Sequence, residues 1–215
     1  MAHDILKIDF KFPEEVYVLA PGLEGKAHYH RVPRDAFVIA VNYAIMISRV
    51  QKHIWIAEDS GLPKLYSWFR DAAKDYIAKA YLLEEPYPTP VFDAGYMYEK
   101  YPNVAYIYHS GPHLSYQQPH YKPFSLIPGL LRGYCTISSK AIQLAIHKGA
   151  KRIVLCGVDM HGAQYFDETV TASGYIGPSG NWIFVPRFNE FLKHLKADGI
   201  EVVSLSPTAL NVEVI

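Results

Sequence analysis

Asp159, His161 and Tyr165 stand close together just after an apolar run, and each side chain can hold or move a proton. Histidine titrates near neutrality, so acid, base and phosphate contact are all open to His161. Tyr165 offers a hydroxyl that could donate to a departing phosphate. A carboxylate directly after a strand often accepts hydrogen bonds from neighbouring amides, which makes Asp159 the structural member of the three. Upstream, Asn42 closes another apolar run. Its amide donates and accepts at once, which suits a nucleobase, a ribose or a sugar hydroxyl. Asparagine also caps helices, and the residue type alone does not separate the two roles.

These groups need elements to position them. Ile153-Val154-Leu155-Cys156 is short, apolar and partly β-branched, as a strand covered on both faces should be. Gly157 removes the side chain where the backbone must turn. In open α/β sheets, ligands bind beyond the C-terminal ends of the strands. Further strands are expected at 16–19, 37–41, 53–57, 80–83, 104–108 and 200–205. The first runs into Ala20-Pro21-Gly22, a turn signal. The second runs into Asn42 and a helix-like segment at 43–49. Helical spacing is present at 64–73, with Leu65, Trp68 and Phe69 on one face, at 138–147 and at 188–197. Ser138 or Ser139 would cap the middle helix, and Gly149 would stop it. The alternation predicts one Rossmann-like α/β domain over 1–215, with a mostly parallel sheet and helices on both faces. The segment 86–133 breaks the rhythm. It holds eight prolines and the histidines His109, His113 and His120, and reads as an irregular lid or insertion, or as disorder.

Composition bounds the function. The chain has 215 residues, and its 21 basic residues balance 21 acidic ones, so nothing favours nucleic acid or an anionic membrane. Cys135 and Cys156 are too few for a disulfide framework and point to a reducing, cytoplasmic setting. No apolar run reaches the ~20 residues of a spanning helix, and the start lacks the pattern of a signal peptide. Nine of the 17 tyrosines fall between Tyr87 and Tyr134. They would form either an aromatic pocket wall or a surface for self-association. No Gly-rich phosphate loop, dinucleotide fingerprint or nucleophile elbow is present. His28-Tyr29-His30 could present two imidazoles on one side of a strand, but it lacks the further ligands zinc requires, so no metal is expected. Glu58 and Asp59 read as an acidic turn that caps a helix.

Four places in the chain resemble bacterial sialyltransferases of glycosyltransferase family 42 and the related sialyltransferase-like, motility-accessory-factor-type domains. They are Gly149 with the strand leading to Gly157-Val158-Asp159, the loop closing on Tyr165-Phe166-Asp167, the segment Tyr175-Ile176-Gly177, and the turn Ser206-Pro207-Thr208-Ala209-Leu210. Ile39-Ala40-Val41 ending at Asn42 is similar to that family's second strand. The resemblance implies a single-nucleotide Rossmann-like fold that uses a CMP-activated sugar and a glycan acceptor as substrates, without metal or other cofactor. It implies that Asn42, Gly22, Thr136, Ser138 and Asp159 line the nucleotide. His161 and Tyr165 would face the leaving phosphate, and Tyr175, His109, His113 and His120 the substrates. A place at the inner face of the membrane is compatible with it. Two positions depart from the family's pattern. Pro21 stands where it has an asparagine, and Pro178 where its general-base histidine would follow Tyr-Ile-Gly. The base would then be His161 or a lid histidine. An inactive nucleotide- or glycan-binding module and a pterin pyrophosphokinase-like transferase are the other readings.

Overall fold

The computed structural model describes residues 11–47, 50–57, 80–84, 104–107, 136–161 and 178–215. Eight strands form one sheet: β1 (Glu15–Leu19), β2 (Val38–Val41), β3 (Ile54–Ala57), β4 (Ala80–Glu84), β5 (Val104–Ile107), β6 (Arg152–Cys156), β7 (Glu201–Ser204) and β8 (Glu213–Val214). Their order is β5-β4-β3-β2-β1-β6-β7-β8, and every neighbouring pair is parallel. The chain walks outward from β1 to β5, then crosses back to place β6 on the other side of β1. That reversal creates a topological switch point between β1 and β6. Leu19 pairs with Cys156, so the loops after these two strands leave the sheet side by side.

The apolar runs are continuous because both faces are covered. Val16, Val18, Ile39, Val41, Ile54, Ile56, Ile153 and Leu155 point to one face and pack with α1 (Ile137–His147) and α2 (Pro178–Ala197). Tyr17, Leu19, Val38, Ala40, Trp55, Val154 and Cys156 alternate with them and are buried as well. Each such aliphatic side chain contributes about 1.5–3 kcal/mol by leaving water. The parallel, Rossmann-like α/β order expected from the sequence is present.

Several boundaries differ from expectation. The segment after β2 is a 3-10 turn over Asn42–Met46, shorter than the helix-like stretch expected at 43–49. Asn42 opens it with a φ of 47°, a left-handed conformation that asparagine tolerates better than most residues. Thr136, rather than Ser138 or Ser139, precedes α1 as its N-cap. Both serines lie inside the first turn, and Ser139 Oγ donates back to the Thr136 carbonyl at 2.7 Å. Helix α2 starts at Pro178, well before the expected 188, and carries Pro186 within it. Proline suits a first turn, where its missing N–H costs nothing. The interior proline and the partly exposed Phe184–Arg187 stretch hide the earlier turns from a periodicity reading. Strand β8 is two exposed residues long and gave no signal. The expected helix at 64–73, the acidic pair Glu58 and Asp59, and Cys135 lie outside the described residues. So does the 86–133 insertion apart from β5. No helix among the described residues is long and apolar enough to cross a membrane.

Candidate functional site

Two loops interlock at the switch point. Ala20 and Gly22 donate from their backbone amides to the Cys156 and Gly157 carbonyls, each at 2.9 Å, so the β1–β6 ladder continues past the strand ends. The approach is close enough to exclude side chains. A Cβ at Gly22 would collide with the Asp159 carboxyl group and the Gly157 carbonyl, and one at Gly157 would collide with the Ala20 carbonyl. Gly157 also has a φ of 75°. Tyr29 lies against this junction, and its buried hydroxyl donates to the Ala20 carbonyl at 2.9 Å and the Gly22 carbonyl at 3.2 Å. Burial raises its pKa, which keeps the phenol a neutral donor. The loop after β7 braces the other side. Ser206 Oγ accepts from the Gly157 amide at 2.9 Å, Thr208 Oγ1 donates to the Val158 carbonyl at 2.6 Å, and the Ala209 amide donates to the Asp159 carbonyl at 2.8 Å.

Asp159 sits inside this frame and is only 6% exposed. One carboxylate oxygen, Oδ2, accepts from the Glu24 amide at 2.8 Å. Glu24 belongs to the 3-10 turn Leu23–Ala27 that follows Gly22. The other oxygen, Oδ1, is buried and has no hydrogen-bond partner among the described residues. Burial pushes the acid up to about 6, against the opposing pull of the Glu24 amide and of His161. The accepted amide is thus not a neighbouring one, as the sequence suggested, but one across the switch point.

After Asp159, Met160 adopts a φ of 57° and turns the chain back on itself. His161 Nδ1 then lies 3.1 Å from the Asp159 carbonyl oxygen, and Nε2 lies 3.8 Å from Glu24 Oε1. Both the His161 and Glu24 side chains are about half exposed.

Asn42 and Thr136 reach the same C-terminal edge of the sheet from β2 and from α1. The Asn42 carbonyl accepts from Trp55 Nε1 at 2.8 Å, but its side-chain Oδ1 is buried and unpartnered. Helix capping is therefore not what its side chain does here. Thr136 Oγ1 is likewise buried without a partner and makes no capping bond. Because α1 precedes β6, its N-terminal amides face this edge, where a partial positive charge gathers. Ser138 is buried in that first turn, as is Lys140, whose ammonium burial lowers to about 7.

Of the residues singled out in the sequence, Gly22, Asp159 and His161 are in one interlocked cluster. Asn42, Thr136 and Ser138 share its edge of the sheet. Tyr165, Tyr175, His109, His113 and His120 lie outside the described residues. Sequence reasoning missed Glu24, Gly25, Tyr29 and the bracing role of Ser206 and Thr208. The Gly22–Gly25 spacing was the one visible hint, since a Cβ at Gly25 would lie 2.6 Å from Gly157 Cα. Among the described residues no group of three His, Cys, Asp or Glu side chains is placed to hold a metal ion.

No family model matches this sequence, and no curated protein matches it. Solved structures do. The chain is similar to the sialyltransferase CstII from Campylobacter jejuni in complex with the substrate analogue CMP-3FNeuAc. The TM-score is 0.57 at 16% identity, over 94% of this chain and 86% of that one. It is similar to the monofunctional alpha-2,3-sialyltransferase Cst-I from the same organism, with a TM-score of 0.57 at 15% identity over 93% and 79% of the two chains. A structure of CST-II with a trisaccharide acceptor and CMP gives 0.56 at 14% identity over 90% and 81%. At this identity the likeness shows a shared fold, distant in sequence.

Proposed function

We propose that the protein transfers a sugar from a CMP-activated donor to the hydroxyl of a glycan acceptor. One observation carries the reading. Three buried oxygens, Asn42 Oδ1, Asp159 Oδ1 and Thr136 Oγ1, have no hydrogen-bond partner among the described residues and belong to elements that meet at the C-terminal edge of the sheet. Leaving such atoms unsatisfied costs about 1–3 kcal/mol each. The first is an acceptor only, and so is the second when ionised, so the matching ligand brings hydrogen-bond donors. Ribose hydroxyls and the amino group of cytosine are such donors. The N-terminus of α1 supplies amides for the phosphate. Solved structures of this fold hold CMP and an acceptor trisaccharide, which supports the same assignment. The nucleotide-sugar is a substrate here, and no other cofactor enters the scheme.

A catalytically silent nucleotide-binding module is the second reading. Pro21 favours it, because the turn entering the switch point offers neither a polar side chain nor an N–H at that position. Calorimetry against CMP, UMP, GMP and AMP, followed by an assay of CMP release from candidate donors, separates the readings. CMP affinity with release supports transfer, and affinity without release supports the silent module. The absence of any nucleotide affinity overturns both.

A further inference from the structure

In the segment His28-Tyr29-His30 the middle residue is the buried one, and Tyr29 is 6% exposed. Its ring lies against both glycine turns. A Cβ at Gly25 would meet the Tyr29 ring at 2.8 Å, and one at Gly157 would meet its hydroxyl at 2.9 Å. The hydroxyl therefore stands in the seam where the loops after β1 and β6 touch. The amides of Ala20, Gly22 and Glu24 all point across that seam, to the Cys156 and Gly157 carbonyls and to Asp159 Oδ2. Pro21, between them, has no N–H to give. The turn is left with carbonyls, and the Tyr29 hydroxyl spans two of them, Ala20 at 2.9 Å and Gly22 at 3.2 Å. A phenol has a single hydrogen, so one donor holds the carbonyls on either side of Pro21 together. The Gly22 carbonyl also accepts from the Gly25 amide at 3.2 Å, inside the 3-10 turn that carries Glu24. Tyr29 thus fixes where the Glu24 amide points. That amide decides which Asp159 oxygen is engaged and which is left for a ligand.

We propose that Tyr29 is a positioning residue of the nucleotide site: its hydroxyl locks the turn after β1 so that the Glu24 amide holds Asp159 Oδ2 and leaves Oδ1 to accept from the ligand. This rests on the nucleotide-binding reading. Removing the hydroxyl frees the turn and withdraws the Glu24 amide from Asp159. That amide opposes the effect of burial on the carboxyl group, so its withdrawal moves the Asp159 titration further up. The other titratable groups around Asp159 stay in place: the Glu24 carboxylate, Cys156 at the end of β6 and His161 from its own loop. Near neutrality fewer molecules then carry the ionised Asp159 that accepts hydrogen bonds through both oxygens. The loss of affinity is therefore largest there and shrinks as pH rises.

The test compares wild type, Tyr29→Phe and Gly199→Ala by calorimetry with cytidine, carbon-13 NMR of the Asp159 carboxyl group and thermal unfolding. Cytidine is the probe because the phosphate of a nucleotide itself titrates near pH 6. Gly199→Ala strains a turn with nothing within 4 Å of the added Cβ, and so controls for instability alone. Tyr29→Phe should bind cytidine about tenfold more weakly at pH 7 and recover part of that loss at about pH 8.5. Its Asp159 should titrate at a higher pH than in wild type. Gly199→Ala should bind and titrate as wild type does. Unchanged cytidine affinity in Tyr29→Phe, or an unmoved Asp159 titration, overturns the positioning role while the nucleotide reading stands. Should Tyr29→Phe fail to fold, wild type still decides. By reciprocity cytidine should slow exchange of the Tyr29 hydroxyl proton with water, and a rate indifferent to cytidine overturns the role. A wild type that binds neither cytidine nor CMP overturns the nucleotide reading and the role with it.

Discussion

Single residues at the switch point carry charges and oxygens that the fold leaves uncompensated. Asp159 is held up to about 6 by burial, so its ionisation is harder in the folded state than in the unfolded chain. The folded protein then binds the extra proton between the ordinary carboxylate range and pH 6, and stability falls as pH rises through that window. The loss reaches about 3 kcal/mol at neutrality. Urea unfolding at pH 4.5 and 7.5 should show that step in wild type, and Asp159→Asn should lack it. Lys52 presents the same physics with the opposite charge. It is fully buried, its Nζ has no hydrogen-bond partner among the described residues, and burial lowers it to about 8. Its folded pKa is depressed, so the penalty is complete below pH 8 and fades as pH rises toward the ordinary lysine range. Lys52→Met should therefore stabilise the protein at pH 7 by up to about 3 kcal/mol, and its advantage should shrink by pH 10.5. Thr136→Val separates ligand recognition from folding. Its hydroxyl makes no bond in the free protein, so removing it should leave stability unchanged or raise it by up to about 1–3 kcal/mol. Calorimetry should show a roughly three- to tenfold loss of CMP affinity. An equal loss of stability would mean that the hydroxyl serves the fold.

At the scale of elements, the site exists because the loops after β1 and β6 touch without side chains between them. Gly157 combines a φ of 75° with the Ala20 carbonyl lying where a Cβ would go. Gly199 has a nearly equal φ of 78° but nothing within 4 Å of a built Cβ. The pair isolates the steric part of the cost. Gly199→Ala should cost about 1–2 kcal/mol from backbone alone. Gly157→Ala should cost at least about 2 kcal/mol more and should also displace Glu24 from Asp159. Chemical denaturation measures the first, and loss of the Glu24 amide's protection from hydrogen exchange measures the second. Equal costs would show that the loops can part freely. Helix α1 is a second case of an element read only in part from sequence. Its apolar side was legible from Ile142, Leu144 and Ala145. Yet Ile137 to Ala145 are buried throughout, including Ser138, Ser139, Lys140 and Gln143. Period counting finds the face that meets the sheet and is blind to a polar face that other segments cover.

At the scale of the whole molecule, the parallel sheet makes ligand binding and stability one measurement. A nucleotide that satisfies the buried oxygens binds only the folded state. At about 100 times its dissociation constant it should add about 2.7 kcal/mol. For a chain of this size that is a rise in Tm of about 5–10 °C, readable by calorimetry. CMP should raise Tm more than UMP at equal concentration, because uracil lacks the amino donor; equal shifts would mean that the unpaired acceptors do not read the base. The sequence by itself determined seven of the eight strands, their apolar continuity and the alternation that makes the sheet parallel, because these follow from local side-chain pattern and chain connectivity. It also marked Asn42, Asp159 and His161 as polar groups at strand ends. The tertiary structure alone decided what those groups face. The Glu24–Asp159 hydrogen bond spans 135 positions. The packing of Gly22 against Gly157 depends on which strand lies beside β1, and no local pattern encodes that choice. Strand order is set by the burial of whole faces across the sheet, so the partners of a loop residue emerge only when the chain has closed on itself.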